Sequence, residues 1–152
     1  MGRILGWNEL KEVVDAAKAA GKRVVFTNGC FDIIHAGHVR HLREAKSLGD
    51  ILVVALNTDH SVSGLKPGRP VTPEAQRAEV VASLAMVDCV TMFGEDTPYE
   101  LINLLKPDVL VKGGDWKREE IVGSDIVPDT RSLPYIRGIS TTEIIEKIKK
   151  LG

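Results

Sequence analysis

Apolar and polar positions follow two different rhythms along this chain. Short runs that are almost wholly apolar occur at 23–27, 51–56, 89–93 and 108–111. Such runs are typical of parallel strands that are covered on both faces. The longer segments between them carry apolar residues every three or four positions, which predicts helices. Because helices and strands alternate, the sequence predicts an α/β fold with a doubly wound parallel sheet of about five strands, the last at 132–136.

Capping residues predict where the helices begin. Asn8 is expected to cap the first helix, and Thr72 with Pro73 to open another. Two capping boxes, at 97–100 and 140–143, predict two more helix starts. The polar stretch at 57–72 is predicted to be a long loop. The last helix is expected to turn an apolar side to the core, formed by Ile144, Ile145, Ile148 and Leu151.

Length and composition limit the class of protein. A chain of 152 residues fits a single domain, 1–152, with an N-terminal helix extension at 1–21 and a catalytic core at 22–152. The net charge of −1 gives no case for a nucleic-acid partner. No transmembrane run, signal peptide or disulfide pattern is present, so a cytoplasmic protein without a membrane partner is expected. A homodimer is left open.

Two histidines stand where the first long strand ends and its helix begins. His35 and His38 flank a glycine in H-A-G-H, just after a glycine-bearing loop. A helix that starts near Gly37 has unpaired N–H groups and a partial positive charge at its end. A phosphate held there would meet these N–H groups and two imidazoles at once. The arrangement suits the stabilisation of charge on a transferring phosphoryl group and needs no protein nucleophile.

Metal binding competes with this interpretation, because His35, His38 and His41 recur every three residues. Zinc sites prefer tetrahedral sets of nitrogen and sulfur ligands, and no Cys-x-x-Cys motif accompanies the histidines. A purely structural role is a third interpretation. His41, further along the helix, and His60, in a polar stretch, are assigned no catalytic role.

Further segments carry residues suited to phosphates. Lys66 lies among glycines and prolines and could fold over a triphosphate, whereas Arg77 is either a phosphate ligand or a surface side chain. The segment 112–116, K-G-G-D-W, follows a strand, and 137–142, R-G-I-S-T-T, opens the last helix with hydroxyl groups. Each has a simpler explanation as a loop, turn or cap. Together they place phosphate-compatible residues at one edge of the sheet.

On these residues the chain resembles a known family. The run T-N-G-C-F-D-I-I-H-A-G-H and the downstream G-I-S-T-T are similar to motifs of the cytidylyltransferase-like nucleotidyltransferases, which have a Rossmann-like fold. Within that superfamily, E-D-T-P at 95–98 and V-K-G-G-D-W at 111–116 resemble the adenylyltransferase domain of the bacterial ADP-heptose synthases. Two features depart from that pattern. We expect a stand-alone transferase without the sugar-kinase domain of the bifunctional enzymes, and R-G-I at 137–139 resembles the glycerol-3-phosphate cytidylyltransferases.

The resemblance implies a substrate pair and a reaction. AMP would pass from ATP to a sugar phosphate, D-glycero-β-D-manno-heptose 1-phosphate, by direct displacement at the α-phosphorus. The products would be pyrophosphate and ADP-heptose, a precursor in lipopolysaccharide biosynthesis. Mg²⁺ would arrive with the triphosphate, no protein ligand is assigned to it, and a separate sugar kinase would supply the acceptor.

The resemblance also implies roles for individual residues. The catalytic set is His35, His38 and Lys66. The substrate phosphates would be held by Lys66 and Arg77. The nucleotide would be bound by Thr27, Asn28, Gly29, Phe31, Asp32, Lys112, Gly113, Asp115, Arg137, Ser140, Thr141 and Thr142. Two other functions stay open: a glycerol-3-phosphate cytidylyltransferase that uses CTP, and a nucleotide-binding module without turnover.

Overall fold

A six-stranded, all-parallel sheet forms the centre of the protein, in a computed structural model that describes residues 1–152. The strands are β1 (Arg3–Ile4), β2 (Val24–Gly29), β3 (Ile51–Asn57), β4 (Cys89–Phe93), β5 (Val109–Gly113) and β6 (Asp129–Leu133). The helices are α1 (Trp7–Ala19), α2 (Ala36–Lys46), α3 (Asp59–Leu65), α4 (Glu74–Ala82), α5 (Tyr99–Leu105) and α6 (Thr141–Lys149), with a short 3₁₀ helix at Arg118–Glu120. The predicted α/β class is confirmed.

The order of the strands creates a crevice. Across the sheet they run β1-β4-β3-β2-β5-β6. From β2 the chain therefore moves outward through β3 and β4, and then returns to the other side of β2 with β5. In open α/β sheets, ligands bind outside the carboxyl ends of the strands at such a reversal. The loops that follow β2 and β5 are thus the expected place for a site.

Buried side chains cover both faces of the sheet. Val25 and Phe26, neighbours on β2, point to opposite faces and belong to different apolar clusters. The Phe26 cluster includes Leu10 and Val14 of α1 and residues of α5, while the Val25 cluster includes Leu42 of α2 and residues of α4. Helices on both faces are what a doubly wound sheet requires. They also explain why the strands are apolar at almost every position.

The N-terminal segment belongs to this sheet. β1 pairs with β4 through Arg3 and Ile4, which makes six strands instead of about five. Two residues are too few to show a strand periodicity, so no sequence pattern indicated this edge strand. The last strand lies at Asp129–Leu133, a few residues before the predicted 132–136.

Three predicted helix starts lack the expected side-chain cap. Gly6, and not Asn8, precedes α1, and the caps of α4 and α5 are Pro73 and Pro98, which accept no hydrogen bond through a side chain. At 140–143 the prediction holds in part, because the Ser140 hydroxyl accepts a hydrogen bond of 3.1 Å from the Glu143 N–H. Near the start of α5 the Thr97 hydroxyl still accepts a hydrogen bond of 3.4 Å, from the Tyr99 N–H. Capping patterns therefore located the helices to within a few residues, and identified the N-cap residue correctly only at Ser140.

Two larger expectations were wrong. The stretch 57–72 is not a continuous loop, because α3 occupies its first half and is capped by the Thr58 hydroxyl, 3.2 Å from the Ser61 nitrogen. The apolar side of α6 does not reach the core, since none of its residues is buried and Ile148 is 57% exposed. No helix is long and apolar enough to cross a membrane.

Candidate active site

The loops after β2 and β5 enclose a cavity of about 780 Å³. Its wall includes the start of α2, residues from the segment 65–72 (called the Lys66 segment below), the turn at 112–116 and the start of α6. Twelve of the predicted site residues line it: Asn28, Gly29, Phe31, Asp32, His35, His38, Lys66, Lys112, Gly113, Ser140, Thr141 and Thr142. Segments far apart in sequence thus form one concave surface at the strand reversal.

His35 and His38 cap the helix that carries them. The Gly37 N–H donates to Nδ1 of His35 at 3.1 Å, and the His35 N–H donates to Nδ1 of His38 at 3.2 Å. Each Nδ1 is therefore an acceptor, so a neutral ring carries its proton on Nε2. The two rings lie 3.9 Å apart between centroids. The backbone thus fixes a pair of Nε2–H donors at the wall of the cavity.

The charge state of these imidazoles follows from their surroundings. Burial is the main cause that lowers the pKa of both His35 and His38. The pKa of His38 falls to about 4, because repulsion by the Lys66 ammonium, and by His35 and His41 when they are protonated, adds to burial. At neutral pH both rings are uncharged donors. A bound phosphate would offset the neighbouring positive charges and favour protonation.

Gly37 and the start of α6 fit closely against this histidine pair. A Cβ at Gly37 would lie 2.9 Å from the His35 ring and 3.3 Å from the Ile139 side chain. The Thr141 hydroxyl donates to the Ile33 carbonyl at 3.3 Å, which ties α6 to the loop before α2. Arg69 donates to the Thr142 hydroxyl at 3.2 Å. Two helix N-termini therefore face one cavity. The Gly37 N–H of α2 is committed to His35 Nδ1, so this end offers its imidazoles, whereas the first N–H groups of α6, on Thr141 and Thr142, have no acceptor within the helix and are suited to anions.

Arg77 does not serve as a phosphate ligand in this structure, contrary to the sequence prediction. Its side chain is fully buried and makes four hydrogen bonds of 2.7 to 2.9 Å. The acceptors are the carbonyls of Thr72, Cys30 and Asn57 and the carboxylate of Asp59. With these donors committed, Arg77 joins the loop after β2 to the loop before α4.

Asp32, like Arg77, binds backbone groups of the loop before α4. Its carboxylate accepts hydrogen bonds of 2.8 to 3.0 Å from the N–H groups of Val71 and Thr72. It lines the cavity as predicted, but its oxygens hold the end of the Lys66 segment. Asp32 and Arg77 together anchor the end of this segment beside the cavity.

Three predicted nucleotide-binding residues do not line the cavity: Thr27, Asp115 and Arg137. Thr27 is fully buried, and its hydroxyl donates to the Val111 carbonyl at 2.9 Å. Its predicted contact with nucleotide is therefore wrong, and it supports residues that do reach the cavity. Asp115 and Arg137 are exposed, and their assignment stays a prediction.

Sequence reasoning missed His41. Its ring lines the cavity, one turn after His38, and contacts the Thr27 hydroxyl at 3.1 Å. Burial, followed by the nearby charge of Lys112, lowers its pKa. The three-residue spacing of the histidines, weighed only as a metal pattern, was the signal that could have placed His41 on the same face as His38.

The turn after β5 forms the opposite wall. Gly114 has φ +117°, and a Cβ there would lie 2.7 Å from Nε1 of Trp116. That indole donates to the Gly113 carbonyl at 3.0 Å, and the Lys112 ammonium lies 5.8 Å from the ring centre. The double glycine thus lets an aromatic ring lie flat against the backbone beside a cation. Burial lowers the pKa of Lys112.

The three-histidine metal site that the spacing left open does not form. Nδ1 of both His35 and His38 accepts a backbone N–H, and no three His, Cys, Asp or Glu side chains are grouped as metal ligands would be. The donors that do converge are N–H groups, ammonium groups and hydroxyls. Such a set binds oxyanions.

A cavity at the strand reversal, with two helix N-termini and an H-x-G-H that caps one of them, defines a nucleotide-binding α/β protein. The sequence profile of the cytidylyltransferase-like family matches residues 26–147, and this chain belongs to that family.

Curated relatives share this sequence closely but are much longer. The chain is 51% identical over 147 residues to the bifunctional protein HldE of Nitratiruptor sp. and 53% identical over 147 residues to that of Hahella chejuensis. The matches cover 96% and 93% of this chain but only 32% and 31% of those proteins. The chain therefore spans about a third of the length of these relatives.

Solved structures support the fold. A lipopolysaccharide core biosynthesis protein from Thermoplasma volcanium is 28% identical, with a TM-score of 0.64 over 76% of this chain and 99% of that one. The match to a pantoate-beta-alanine ligase from Francisella tularensis, complexed with beta-gamma ATP and beta-alanine, covers 98% of this chain and 77% of that one, with the same TM-score of 0.64. Its identity of 14% shows a shared fold alone.

Proposed function

We propose that this chain transfers AMP from ATP to a sugar phosphate and releases pyrophosphate. The observation that carries the proposal is the histidine capping box, whose two Nε2–H donors face the same cavity as the N-terminus of α6. Preorganised donors of this kind stabilise charge that develops on a transferring phosphoryl group. Membership of the cytidylyltransferase-like family supports the same reaction class.

The chemistry is a direct displacement. A phosphate oxygen of the acceptor attacks the α-phosphorus of ATP, and the bond from that phosphorus to the β-phosphate oxygen breaks, so that pyrophosphate leaves. His35 and His38 donate to the α-phosphate oxygens. Lys66 neutralises the triphosphate, and Ser140, Thr141 and the N–H groups of α6 hold the leaving phosphates. No side chain forms a covalent bond with the nucleotide.

Mg²⁺ fits this site only as a companion of the triphosphate. No cluster of carboxylates converges in the cavity, so phosphate oxygens would supply most of its ligands. When bound, the ion would neutralise charge on the phosphates. Positioning of the α-phosphate depends on the side chains of this chain, His35 and His38 above all.

We propose a heptose 1-phosphate, D-glycero-β-D-manno-heptose 1-phosphate, as the acceptor. The resemblance of 95–98 and 111–116 to the ADP-heptose synthases supports it, as does about 50% identity to the HldE proteins. The separate sugar kinase that would supply this acceptor stays a prediction. So does the division into an extension at 1–21 and a catalytic core at 22–152.

A substrate panel tests the proposal. ATP and CTP are each paired with heptose 1-phosphate and with glycerol 3-phosphate, and pyrophosphate release is measured. We expect the ATP and heptose 1-phosphate pair to give the highest kcat/KM. A higher value for CTP with glycerol 3-phosphate would replace the proposed substrates with those that R-G-I at 137–139 suggests. Absence of turnover with every pair, while ATP binds, would support a module without turnover.

A further inference from the structure

His41 lies in the cavity with its ring held in one orientation. The Thr27 hydroxyl has a single proton, and it donates that proton to the Val111 carbonyl at 2.9 Å. Towards His41 Nε2, at 3.1 Å, the hydroxyl oxygen therefore accepts. Nε2 must carry the proton of the imidazole, and Nδ1 is left as an acceptor.

The lone pair on Nδ1 of His41 has no hydrogen-bond donor within the protein. Nδ1 of His41 makes no hydrogen bond, and it is not among the buried polar atoms that lack one. It therefore remains accessible on a ring that lines the cavity. A Cβ added to Gly113 would lie 3.6 Å from this nitrogen, so Nδ1 faces the end of β5. The absence of a side chain at Gly113 leaves the approach to Nδ1 open.

The other groups around His41 make this acceptor unusual. His35 and His38 present Nε2–H donors, and Lys66 and Lys112 present ammonium groups. These donors match phosphate oxygens. A neutral acceptor among them matches a ligand group that carries a hydrogen, such as a hydroxyl or an amino group. A phosphate oxygen would instead repel the lone pair of Nδ1.

We propose that His41 binds the nucleoside half of the nucleotide, by accepting a hydrogen bond at Nδ1 from a ribose hydroxyl or from the amino group of the base. The inference rests on the proposed function for the identity of the ligand as a nucleotide. Thr27 is then a positioning residue, because its hydroxyl determines which nitrogen of His41 is free. The buried Thr27 predicted to touch the nucleotide acts through this ring.

Binding of ATP analogues to the intact chain, measured by calorimetry, tests this inference without turnover. The analogues are 2′-deoxy-ATP, 3′-deoxy-ATP and purine riboside triphosphate, which lack one hydroxyl, the other hydroxyl and the amino group respectively. For the wild type we expect one analogue to bind roughly three- to tenfold more weakly than ATP, as loss of one neutral hydrogen bond predicts. Which analogue this is distinguishes ribose from base.

Two variants separate the two nitrogens of the ring. In His41→Gln the amide lies where Nε2 was, so the contact with Thr27 is kept and the acceptor at Nδ1 is lost. In His41→Asn the amide oxygen lies where Nδ1 was. We expect the Gln variant to bind ATP and the discriminated analogue equally, and the Asn variant to keep part of the difference. His60→Gln, on an exposed histidine outside this cavity, is the control and should behave as the wild type.

The outcomes are distinguishable. An unchanged preference in a folded His41→Gln variant would overturn the role of His41 and leave the proposed function intact. Equal binding of all analogues by the wild type would have the same consequence. Failure of the wild type to bind ATP at all would overturn the proposed function together with this inference.

Discussion

Two helix N-termini face the cavity, and they are attached to the protein in opposite ways. α2 is anchored in the core by Leu42 and Ala45, and its first turn is capped by its own histidines. α6 buries no residue, and Leu151 just beyond it is 79% exposed. Contacts at its start, such as that of Thr141 with the loop before α2, hold it in place. In the reaction proposed above, this difference suits α2 to precise positioning of the reacting phosphate and α6 to holding phosphates that must later leave.

The largest expected effect concerns the α2 end. His35→Asn keeps a side-chain acceptor at the cap but removes the Nε2–H donor. We expect kcat to fall by about 10²–10³, the cost of losing one preorganised donor to the transition state. His38→Ala should lower kcat in the same range, measured as pyrophosphate release.

The α6 end provides the contrast to these variants. Thr141→Val should raise KM for the nucleotide more than it lowers kcat, because it removes the hydrogen bond to the Ile33 carbonyl that holds the phosphate-binding start of α6 at the cavity. Circular dichroism spectra verify folding of each variant. If Thr141→Val lowered kcat as far as His35→Asn does, the proposed division between the two ends would be wrong.

The second prediction compares Lys66 and Arg77, which were both predicted from the sequence to hold the substrate phosphates. Arg77→Met removes four buried hydrogen bonds and leaves three carbonyls without that donor, so the free energy of unfolding should fall by about 3 kcal/mol. Lys66→Met, on a residue with an exposed side chain, should change it by less than about 0.5 kcal/mol. Urea denaturation measures both.

Nucleotide binding should show the reverse order. Lys66→Met is expected to weaken ATP binding roughly tenfold, since one charge-assisted contact with phosphate is worth about 1.5 kcal/mol. A variant of Arg77 that retained full stability but lost ATP affinity would restore Arg77 as a phosphate ligand.

A smaller effect is expected from the cap of α6. Ser140→Ala removes the hydrogen bond to the Glu143 N–H and should destabilise the helix by about 1 kcal/mol. Because α6 contributes nothing to the core, amide exchange should accelerate about fivefold in 141–149 and stay unchanged in the strands. Acceleration throughout the sheet would mean that α6 unfolds only with the whole domain.

The smallest effect concerns pH. The pKa of His38 is about 4 in the folded chain and near 6.5 when unfolded, and those of His35 and His41 are shifted in the same direction. Between pH 6.5 and 4 the unfolded chain therefore binds more protons, so Tm should fall as the pH is lowered through this window. Partial exposure limits the shift to a few degrees. In His38→Asn the slope of Tm against pH should be shallower, and an unchanged slope would assign the effect to other groups.

Local pattern was sufficient to predict the fold class and the edge of the sheet at which the cavity lies. The apolar runs gave four of the strands nearly in full, because a parallel strand covered on both faces is apolar at every position. H-A-G-H located the start of α2 because the hydrogen bonds that cap this helix lie within residues 35–38. The edge strand β1 escaped notice because its two residues are held by pairing with β4, a contact between distant segments.

The errors within the site have one physical origin. Lys66 and Arg77 both follow glycine- or proline-containing segments, and only tertiary structure shows that Arg77 points inward to carbonyls while Lys66 reaches the cavity. For His41, the tautomer depends on Thr27 and Val111, which lie on different strands. Sequence spacing can place a side chain on a helix face, but it does not specify the groups opposite that face.

The attachment of α6 also has an evolutionary consequence. Substitutions at the outward positions of a helix that buries no residue cost the fold little, so they are not removed by selection for stability. Residues such as Ile148 are therefore free to drift, while the first turn at 140–142 would be retained if it binds the nucleotide as proposed. Within one short helix, neighbouring turns are expected to diverge at different rates among descendants of this chain.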